Sequence, residues 1–342
     1  MGYFAHYSSI GQALGWDGIS CRDAGNLEIL RRLVRAKISA LSTGTVPPAD
    51  DIRLFIKSEP HSGEKLRQGR FRLISVLSLE DQVVDRYLFS SWSEADLLHV
   101  ASSPCKAGWS PLPSGFAAFN AAFPGKVLAT DCSSFDWTFP EWTAQLLLDL
   151  RLQQCMDPPQ WYSNAVRARW AQVLRHSVVR LPDGRRFQQQ RWGVMKSGWF
   201  RTIHENSGAQ WLINALAALR ADIPLGTIWT MGDDVILEWD DSYDVESFEA
   251  QLRQCGILVK RSSHEREFAG FVMGPGLYVR PAYRDKHLFA LAYVPPSLAS
   301  EVADAYACYY HLSGDREIAT ILAPHVTLTE LQRLAWCLGV GL

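Results

Sequence analysis

Residues 231–234 read Met-Gly-Asp-Asp, with a short apolar run on each side. The runs at 227–231 and 235–237 are typical of β-strands. The glycine between them accepts backbone conformations that other residues resist. Together these features predict a β-hairpin with two aspartates, Asp233 and Asp234, at its tip. Because Gly-Asp turns are common, the motif alone is weak evidence of a catalytic site.

A second acidic pair lies upstream, in the segment Asp131-Cys-Ser-Ser-Phe-Asp136. The apolar run at 127–130 predicts a buried strand that leads into Asp131. Magnesium takes oxygen ligands and keeps substrate phosphates among them. Two such ions about 4 Å apart stabilise the attacking and leaving oxygens of a phosphoryl displacement. The two acidic clusters therefore favour two-metal nucleotidyl transfer.

A third segment, between the two acidic clusters, carries small polar residues before a helical pattern at 209–219. Ser197-Gly198 predicts a flexible loop. Thr202 and Asn206 are four residues apart and so share one face of a helix, and Ser207 adjoins them. An N-capped core helix with solvated polar residues explains one Ser or Asn. It does not explain the whole set.

These three segments resemble, in their order, motifs A, B and C of viral RNA-directed RNA polymerases. Asp131-x4-Asp136 matches motif A, Ser197-Gly198-x3-Thr202-x3-Asn206-Ser207 matches motif B, and Gly232-Asp233-Asp234 matches motif C. Reverse transcriptases have a different residue pair before the two aspartates, so the glycine form favours an RNA template and an RNA product. In combination the motifs are highly specific.

Flanking segments extend the resemblance over roughly residues 50–275. Residues 57–74, with Lys-Ser-Glu-Pro-His and Arg-Phe-Arg-Leu-Ile, resemble motif F, while 255–260 resemble motif D and 267–270 motif E. The Lys-x-Glu-Pro-His form and Met231 are most similar to the polymerases of sobemoviruses, poleroviruses and barnaviruses, which are positive-strand RNA viruses. Ala269 departs from the pattern, because motif E is expected to have Cys in this turn near a primer strand.

The resemblance implies an α+β fold of the right-hand polymerase type, with an antiparallel-sheet palm. The implied fingers are residues 1–126 and 158–192, the palm 127–157 and 193–286, and the small helical thumb 287–342. The sequence pattern independently predicts helices at 26–42, 78–92, 140–155, 160–176, 244–255, 298–310 and 328–338, and a hairpin over 178–190. Thr327 and Glu330 have the spacing of a capping box for the last helix.

The resemblance also implies a role for each acidic and polar position. Asp131, Asp233 and Asp234 would be catalytic and bind two Mg²⁺ ions, with Mn²⁺ as an alternative. The implied nucleotide-binding residues of motifs A and B are Asp136, Ser197, Gly198, Thr202, Asn206 and Ser207. Among them Asp136, Thr202, Asn206 and Ser207 would form a network that reads the ribose 2′-hydroxyl.

Basic residues supply the remaining implied contacts. Arg70 and Arg72 alternate, so on a strand they would face the same side. With Lys57 and Lys65 they would hold the triphosphate, because Arg forks suit phosphate well; a solvated strand edge is the alternative. Lys260 would be the general acid for pyrophosphate, because nearby charge can tune the pKa of a lysine. A plain surface lysine is the alternative there.

The charge distribution supports contact with nucleic acid although the net charge does not. The chain of 342 residues has a formal net charge of −2. Residues 53–72 contain six Lys/Arg and two acids, and residues 158–204 contain nine Lys/Arg and one acid. Residues 221–252 contain nine acids and no Lys or Arg. Basic stretches of this kind favour an RNA and nucleotide channel, with a solvated surface as the alternative for each, and the acidic stretch contains the implied metal site.

Composition restricts the compartment and the partners. The seven cysteines are scattered and never spaced as Cys-x-x-Cys, which argues against a disulfide framework or a zinc site and fits a reducing compartment. No apolar run reaches the ~20 residues of a membrane helix, so no integral membrane segment is expected, nor is a signal peptide. The expected location is the host cytoplasm, in replication complexes that reach membranes through partners.

The expected function is template-directed RNA synthesis from ribonucleoside triphosphates, replicating a viral RNA genome. Its partners would be a single-stranded RNA template and the nascent RNA, with other viral replication proteins or a protein primer left open. A two-metal nuclease also needs aspartate clusters and Mg²⁺, but it leaves motif B and the basic strand unexplained. A non-catalytic RNA-binding replication subunit is the third possibility, although it has no reason to keep all three aspartates.

Overall fold

The structure is a computed structural model that describes residues 2–61 and 63–340. The chain forms two compact units, and each is assembled from separate stretches of sequence. The first unit consists of Met1–His99, Ser134–Ile213 and Cys255–Leu258. The second unit consists of Val100–Ser133, Asn214–Gln254 and Val259–Leu342.

Helices and strands are both numbered in chain order. The α-helices are α1 Ile10–Leu14, α2 Ala24–Leu41, α3 Gly63–Arg67, α4 Leu79–Leu98, α5 Gly115–Ala122, α6 Phe135–Thr138, α7 Glu141–Gln153, α8 Gln160–Leu174, α9 Thr202–Arg220, α10 Val245–Gln254, α11 Arg284–Ala292, α12 Ala299–Tyr310, α13 Arg316–Leu322 and α14 Glu330–Cys337. The strands are β1 Ile52–Ile56, β2 Leu73–Val76, β3 Val127–Cys132, β4 Val178–Arg180, β5 Arg186–Gln188, β6 Ile228–Met231, β7 Asp234–Glu238, β8 Val259–Ser263, β9 Glu267–Phe268, β10 Phe271–Met273 and β11 Val279–Pro281.

The first unit combines a small mixed sheet with a helical core. Its strand order is β2-β1-β4-β5, with β1 and β4 parallel and the other two pairs antiparallel. Helix α2 packs on α4 and α8. Phe89, Trp170 and Trp199 are buried together, with ring centroids 5.2–6.3 Å apart. Aromatic packing of this kind contributes both buried apolar area and specific edge-to-face geometry.

The second unit is built on an antiparallel sheet in the order β6-β7-β3-β8. Strand β3 is an interior strand, paired with β7 on one side and β8 on the other. The register places Thr130 opposite Val235, so Asp131 and Asp234 are the next residues along these two strands. A second antiparallel sheet has the order β11-β10-β9. Phe119, Trp229 and their neighbours form a buried core in this unit.

The structure confirms the α+β class and the predicted antiparallel sheet around motifs A and C. Most of the predicted helices are present with shifted ends, and the hairpin predicted over 178–190 is the β4–β5 pair. The helix predicted at 209–219 begins earlier, at Thr202. None of the helices formed by the described residues is both long and apolar enough to cross a membrane.

The predicted capping box of the last helix is wrong. The N-cap of α14 is Thr329, which exchanges hydrogen bonds with Gln332. Thr327 instead bonds through its backbone N–H and its hydroxyl to the carboxylate of Asp304. Thr327 therefore bonds to a residue 23 positions away in the chain and does not cap the helix that follows it.

Candidate active site

The motif C hairpin places its two aspartates at different positions. Met231 pairs with Asp234, so the turn between β6 and β7 contains only Gly232 and Asp233. Gly232 has φ +65°, in the left-handed region that favours glycine. The predicted hairpin is confirmed, but Asp234 is the first residue of β7 and does not lie at the tip. Of the two aspartates, Asp233 alone lies in the turn, where it is exposed.

The three aspartates of motifs A and C interact electrostatically within the second unit. Burial raises the pKa of Asp234 to about 7, and the negative charges of Asp233, Asp131 and Glu267 add to that effect. The backbone N–H of Ala269 donates to the Asp234 carboxylate and lowers its pKa in part. Neighbouring like charges favour the neutral acid unless a cation compensates them. The cluster therefore has the electrostatic character of a cation site.

The donor atoms of the cluster fit a hard divalent cation, since all three side chains offer carboxylate oxygens. Within residues 2–61 and 63–340, however, no group of three or more His, Cys, Asp and Glu side chains is arranged to hold a metal ion. Asp131 Oδ2 instead accepts a hydrogen bond from Lys260 Nζ, and the two side chains form an ion pair. The chemistry of the ligand set thus suits Mg²⁺, whereas its present arrangement pairs one ligand with a lysine.

Lys260 lies next to Asp131 because β8 pairs with β3. The register between these strands shifts at Asp131 and Cys132, which marks a β-bulge or a similar irregularity. Bulges re-aim side chains and are frequent beside active sites. The fold therefore brings the predicted general acid, Lys260, to the predicted metal ligands.

The first unit brings together the two central members of the predicted ribose-reading network. Asn206 Nδ2, on α9, donates to Asp136 Oδ1, on α6, over 2.8 Å. Asn206 is buried, and its Oδ1 has no hydrogen-bond partner among the described residues. An orphaned buried acceptor is costly, and it commonly indicates a ligand or an ordered water. This pair therefore offers one acceptor to a bound group.

The two hydroxyls of the predicted network contact the backbone. Thr202 Oγ1 donates to the carbonyl oxygens of Lys196 and Trp199, at 2.6 and 2.9 Å. Ser207 Oγ donates to the carbonyl of Ile203 at 2.6 Å. Such local bonds are common for Ser and Thr in helices. In this structure both hydroxyls thus stabilise the start of α9.

The motif B loop is tightly packed, whereas the sequence predicted a flexible loop. Ser197 Oγ accepts a hydrogen bond from the backbone N–H of Ser75, on β2, at 3.0 Å. A Cβ atom on Gly198 would lie 2.1 Å from the carbonyl oxygen of Ser75. Only glycine allows the two backbone segments to approach so closely. Gly198 is therefore required because any side chain there would clash with the backbone of Ser75.

Two of the motif F arginines lie outside the strand on which they were predicted. Strand β2 begins at Leu73, because the ladder with β1 starts there, so Arg70 and Arg72 precede it. The alternation argument for a shared face therefore does not apply. Lys57 forms an ion pair with Glu59 at 3.0 Å, and Lys65 is exposed on α3. All four basic side chains belong to the first unit, where the two arginines are also exposed.

Lys196 is a site residue that sequence reasoning missed. Its buried Nζ donates to Gln189 Oε1 and to the carbonyl of Val194, both at 2.6 Å. Burial lowers the pKa of Lys196 to about 7, and the charge of Asp136 opposes that shift. A cavity of about 210 Å³ is lined by Leu54, Leu73, Asp136, Phe187, Lys196 and Ser197, among others. The only signal in the sequence was its place directly before Ser197-Gly198.

A buried charge network under the start of α9 was also missed. Arg201 is fully buried and donates to Glu205 at 2.6 and 2.8 Å and to Asp96 at 2.9 Å. Arg151 donates to both oxygens of Asp96. Burial alone would raise the pKa of Asp96, but His204, whose Nδ1 lies 3.0 Å from Asp96 Oδ2, and both arginines hold it well below its usual range. Such networks fix one geometry, because an unpaired buried charge is costly.

Comparison with known proteins finds similarity to viral polymerases and replicases. The viral RNA-dependent RNA polymerase profile matches residues 17–283. Protein P1-P2 of Pea enation mosaic virus-1 is 31% identical over 272 residues, which are 74% of this chain and 21% of that protein. Replicase polyprotein P2AB of Southern cowpea mosaic virus is 33% identical over 195 residues, which are 55% of this chain and 19% of that protein. Protein P1-P2 of Potato leafroll virus is 30% identical over 300 residues, which are 80% of this chain and 27% of that protein.

These relatives confirm the predicted similarity to sobemovirus and polerovirus replicases. The chain spans about a fifth to a quarter of the length of the curated relatives it matches. The family profile nevertheless covers well over half of the chain, including every predicted site residue. This protein therefore belongs to the viral RNA-dependent RNA polymerase family.

Proposed function

We propose that this chain synthesises RNA on an RNA template from ribonucleoside triphosphates, by two-metal-ion nucleotidyl transfer, and thereby replicates a viral RNA genome. The observation that carries the proposal is the acidic cluster of the second unit. There Asp131 and Asp234 adjoin on paired strands and Asp233 occupies the turn beside them. The family relationship supports the same activity.

In this proposal Asp131 and Asp233, assisted by Asp234, hold two Mg²⁺ ions, with Mn²⁺ as an alternative. When bound, such ions supply positive charge to the triphosphate and make the 3′-hydroxyl of the nascent RNA a better nucleophile. A new bond then joins the 3′-oxygen to the α-phosphorus, and the bond to pyrophosphate breaks. The protein side chains act by positioning and by electrostatic complementarity.

Asn206 and Asp136 are proposed to read the ribose. The hydrogen bond between them fixes the amide, so the unpartnered Asn206 Oδ1 is presented in a defined direction. A 2′-hydroxyl that donates to this oxygen satisfies it, whereas a deoxynucleotide leaves it buried and unpaired. Thr202 and Ser207 support this role by anchoring the first turns of α9, and Ser197-Gly198 by holding the preceding loop on β2.

Phosphate binding and proton transfer are assigned to the basic residues. Lys57, Lys65, Arg70 and Arg72 are proposed to bind the triphosphate, and the exposure of the two arginines supports that role. Lys260 is proposed to protonate the departing pyrophosphate. Because its ammonium group is paired with Asp131, it must exchange that partner for a phosphate oxygen before it can act.

The right-hand layout belongs to the same proposal. We propose fingers of residues 1–126 and 158–192, a palm of 127–157 and 193–286, and a thumb of 287–342, with a single-stranded template and the nascent RNA as partners. Other viral replication proteins or a protein primer would act as partners. The proposed location is the host cytoplasm, in replication complexes attached to membranes through such partners.

The test is nucleotide incorporation on a single-stranded RNA template with Mg²⁺, comparing the native chain with Asp233→Ala. Asp241→Ala is a matched control, because Asp241 is an exposed acid of the same unit, paired with Lys126. We expect template-length product from the native chain and the control, and none from Asp233→Ala. Release of mononucleotides by the native chain would replace the polymerase proposal with a nuclease. RNA binding without incorporation would favour a non-catalytic subunit.

A further inference from the structure

Three arginines of the first unit lie in one row across strands β1, β4 and β5. Arg53 pairs with Arg180 in the parallel β1–β4 ladder. Arg180 pairs in turn with Arg186 in the antiparallel β4–β5 ladder. Residues paired across neighbouring strands share one face of the sheet, and the strands are about 5 Å apart. The three side chains therefore leave the sheet on the same side, and we call them the arginine row.

The opposite face of this sheet belongs to the candidate site. Leu54, Val179 and Phe187 are each adjacent in sequence to one arginine of the row. Because successive residues of a strand point to opposite faces, these three side chains lie on the other side of the sheet. There they line the cavity that also contains Asp136 and Lys196. The arginine row thus lies on the face that is turned away from this cavity.

The arginine row carries more positive charge than its surroundings compensate. Asp51 accepts hydrogen bonds from Arg186 at 2.7 and 2.8 Å and neutralises that arginine. Among residues 2–61 and 63–340, no carboxylate forms an ion pair with Arg53 or Arg180. Residues 2–13, several of which border a small cavity with Arg53, include no acid. Like charges directly opposite each other destabilise a sheet, so their retention indicates a bound anion.

The same face offers an aromatic ring beside the free charges. Arg53 and Arg186 are exposed, and Arg180 is half-buried. Phe55, two residues after Arg53 and so on the same face of β1, is 45% exposed. A guanidinium group binds phosphate oxygens in pairs, and an exposed ring stacks on any nucleobase. Together these groups have the composition of a surface for single-stranded nucleic acid.

We propose that the arginine row and Phe55 bind single-stranded RNA at a site separate from the one that contains Asn206 and Asp136. Arg53 and Arg180 contact phosphodiesters of the strand, and Phe55 stacks on a base. Two observations favour RNA over an acidic protein segment. The chain belongs to a family of RNA-dependent RNA polymerases, and a ring beside two arginines suits a base with its phosphates. The site goes beyond the proposed function, because it holds RNA without taking part in nucleotide transfer.

The test measures the affinity of the full chain for a labelled, unstructured single-stranded RNA by fluorescence anisotropy, without nucleotide. In Arg53→Met/Arg180→Met we expect affinity to fall by roughly 10-fold at about 0.1 M salt. The slope of log affinity against log salt should become shallower by about 1.4, since each contact with a single strand contributes about 0.7. Phe55→Leu should also weaken binding by roughly 10-fold, but at an unchanged slope.

Arg32→Met/Arg35→Met is the matched control, because it removes the same charge from two exposed arginines of α2 in the same unit. It should bind RNA like the native chain. Thermal unfolding gives a second readout. Arg53→Met/Arg180→Met should be at least as stable as the native chain, since it removes repulsion between paired strands. A variant that loses stability together with affinity would show that these arginines serve the fold, and the proposal would fail.

Nucleotide incorporation tests whether the site is separate. In Arg53→Met/Arg180→Met the KM for the template should rise while kcat at saturating template stays native. A lower kcat at saturating template would place the row in the catalytic path and overturn the separate site.

Two binding results would also overturn the proposal. One is native affinity and salt slope in Arg53→Met/Arg180→Met. The other is displacement of the RNA by polyglutamate at equal charge concentration, which would assign the surface to an acidic protein segment. If the native chain incorporates no nucleotide but the binding differences hold, the proposed function fails and this inference stands.

Discussion

The hydrogen bond between Asn206 and Asp136 can be tested by changing one atom group. Asn206→Asp keeps the size and shape of the side chain but replaces the donor Nδ2 with a carboxylate oxygen. In the native chain that donor lies 2.8 Å from Asp136 Oδ1, with Asn206 buried and Asp136 half-buried. The variant therefore places two carboxylates where one amide and one carboxylate were matched.

The magnitude follows from that distance. Two unit charges 2.8 Å apart repel by about 6 kcal/mol at an effective dielectric constant of about 20. The pair will therefore take up a proton or move apart. Either response removes the bond that orients Asn206 Oδ1, and a hydrogen bond to a charged group contributes about 1.5–3 kcal/mol. Preference for ribose over deoxyribose should consequently fall by about 10- to 100-fold.

The assay compares kcat/KM for ATP and dATP on one template. The control is Asn26→Asp, since Asn26 is another hydrogen-bonded asparagine of the first unit, which donates to Tyr7 and Ala13. That variant should keep the native preference. An Asn206→Asp chain with native thermal stability and an unchanged ATP/dATP ratio would refute the ribose-reading role.

Three further predictions concern other parts of the site. Gly198→Ala sets a Cβ 2.1 Å from the Ser75 carbonyl and should destabilise the fold by about 1–3 kcal/mol or more. Gly125→Ala, which meets no atom within 4 Å, should be neutral in the same urea titration. Lys260→Leu should lower kcat by about 100-fold or more at unchanged nucleotide KM; equal turnover would remove the acid role. Because burial lowers the pKa of Lys196 to about 7 from 10.5, the unfolded chain binds more protons between these values, and this group's contribution to stability falls as pH drops through them. Lys196→Met should therefore reduce the difference between the denaturation midpoints measured at about pH 7.5 and about pH 9.5. A difference equal to that of the native chain would contradict this prediction.

The structural features that could be predicted are those that local sequence patterns specify. An apolar run ending in Asp131 and a Gly-Asp turn between two strand patterns specify a strand and a hairpin within a few residues. The helical spacing of Thr202 and Asn206 likewise places both on the first turns of α9. These elements carry the residues of the acidic cluster and of the ribose pair, so most of the candidate site was predictable.

Features that depend on distant partners were not predictable. The parallel pairing of Ile52 with Val179 joins strands far apart in the chain, and nothing in either strand specifies the other. The contact of Lys260 with Asp131 depends on the register of β8 against β3. Within the network under α9, the spacing of Arg201 and Glu205 is visible in the sequence, whereas Asp96 is not. Tertiary packing determines these contacts, and local sequence propensity does not predict them.

The position of β3 between two partner strands has a consequence for protein engineering. Inserting or deleting one residue in this strand would turn its side chains to the opposite face of the sheet and break register with both neighbours. The turn of the β4–β5 hairpin, around Asp183 and Gly184, is exposed and joins only two short strands. Exposed turns accept inserted sequence at low cost. A peptide tag inserted in this turn should be accessible on the folded chain and should leave Asp131 in place.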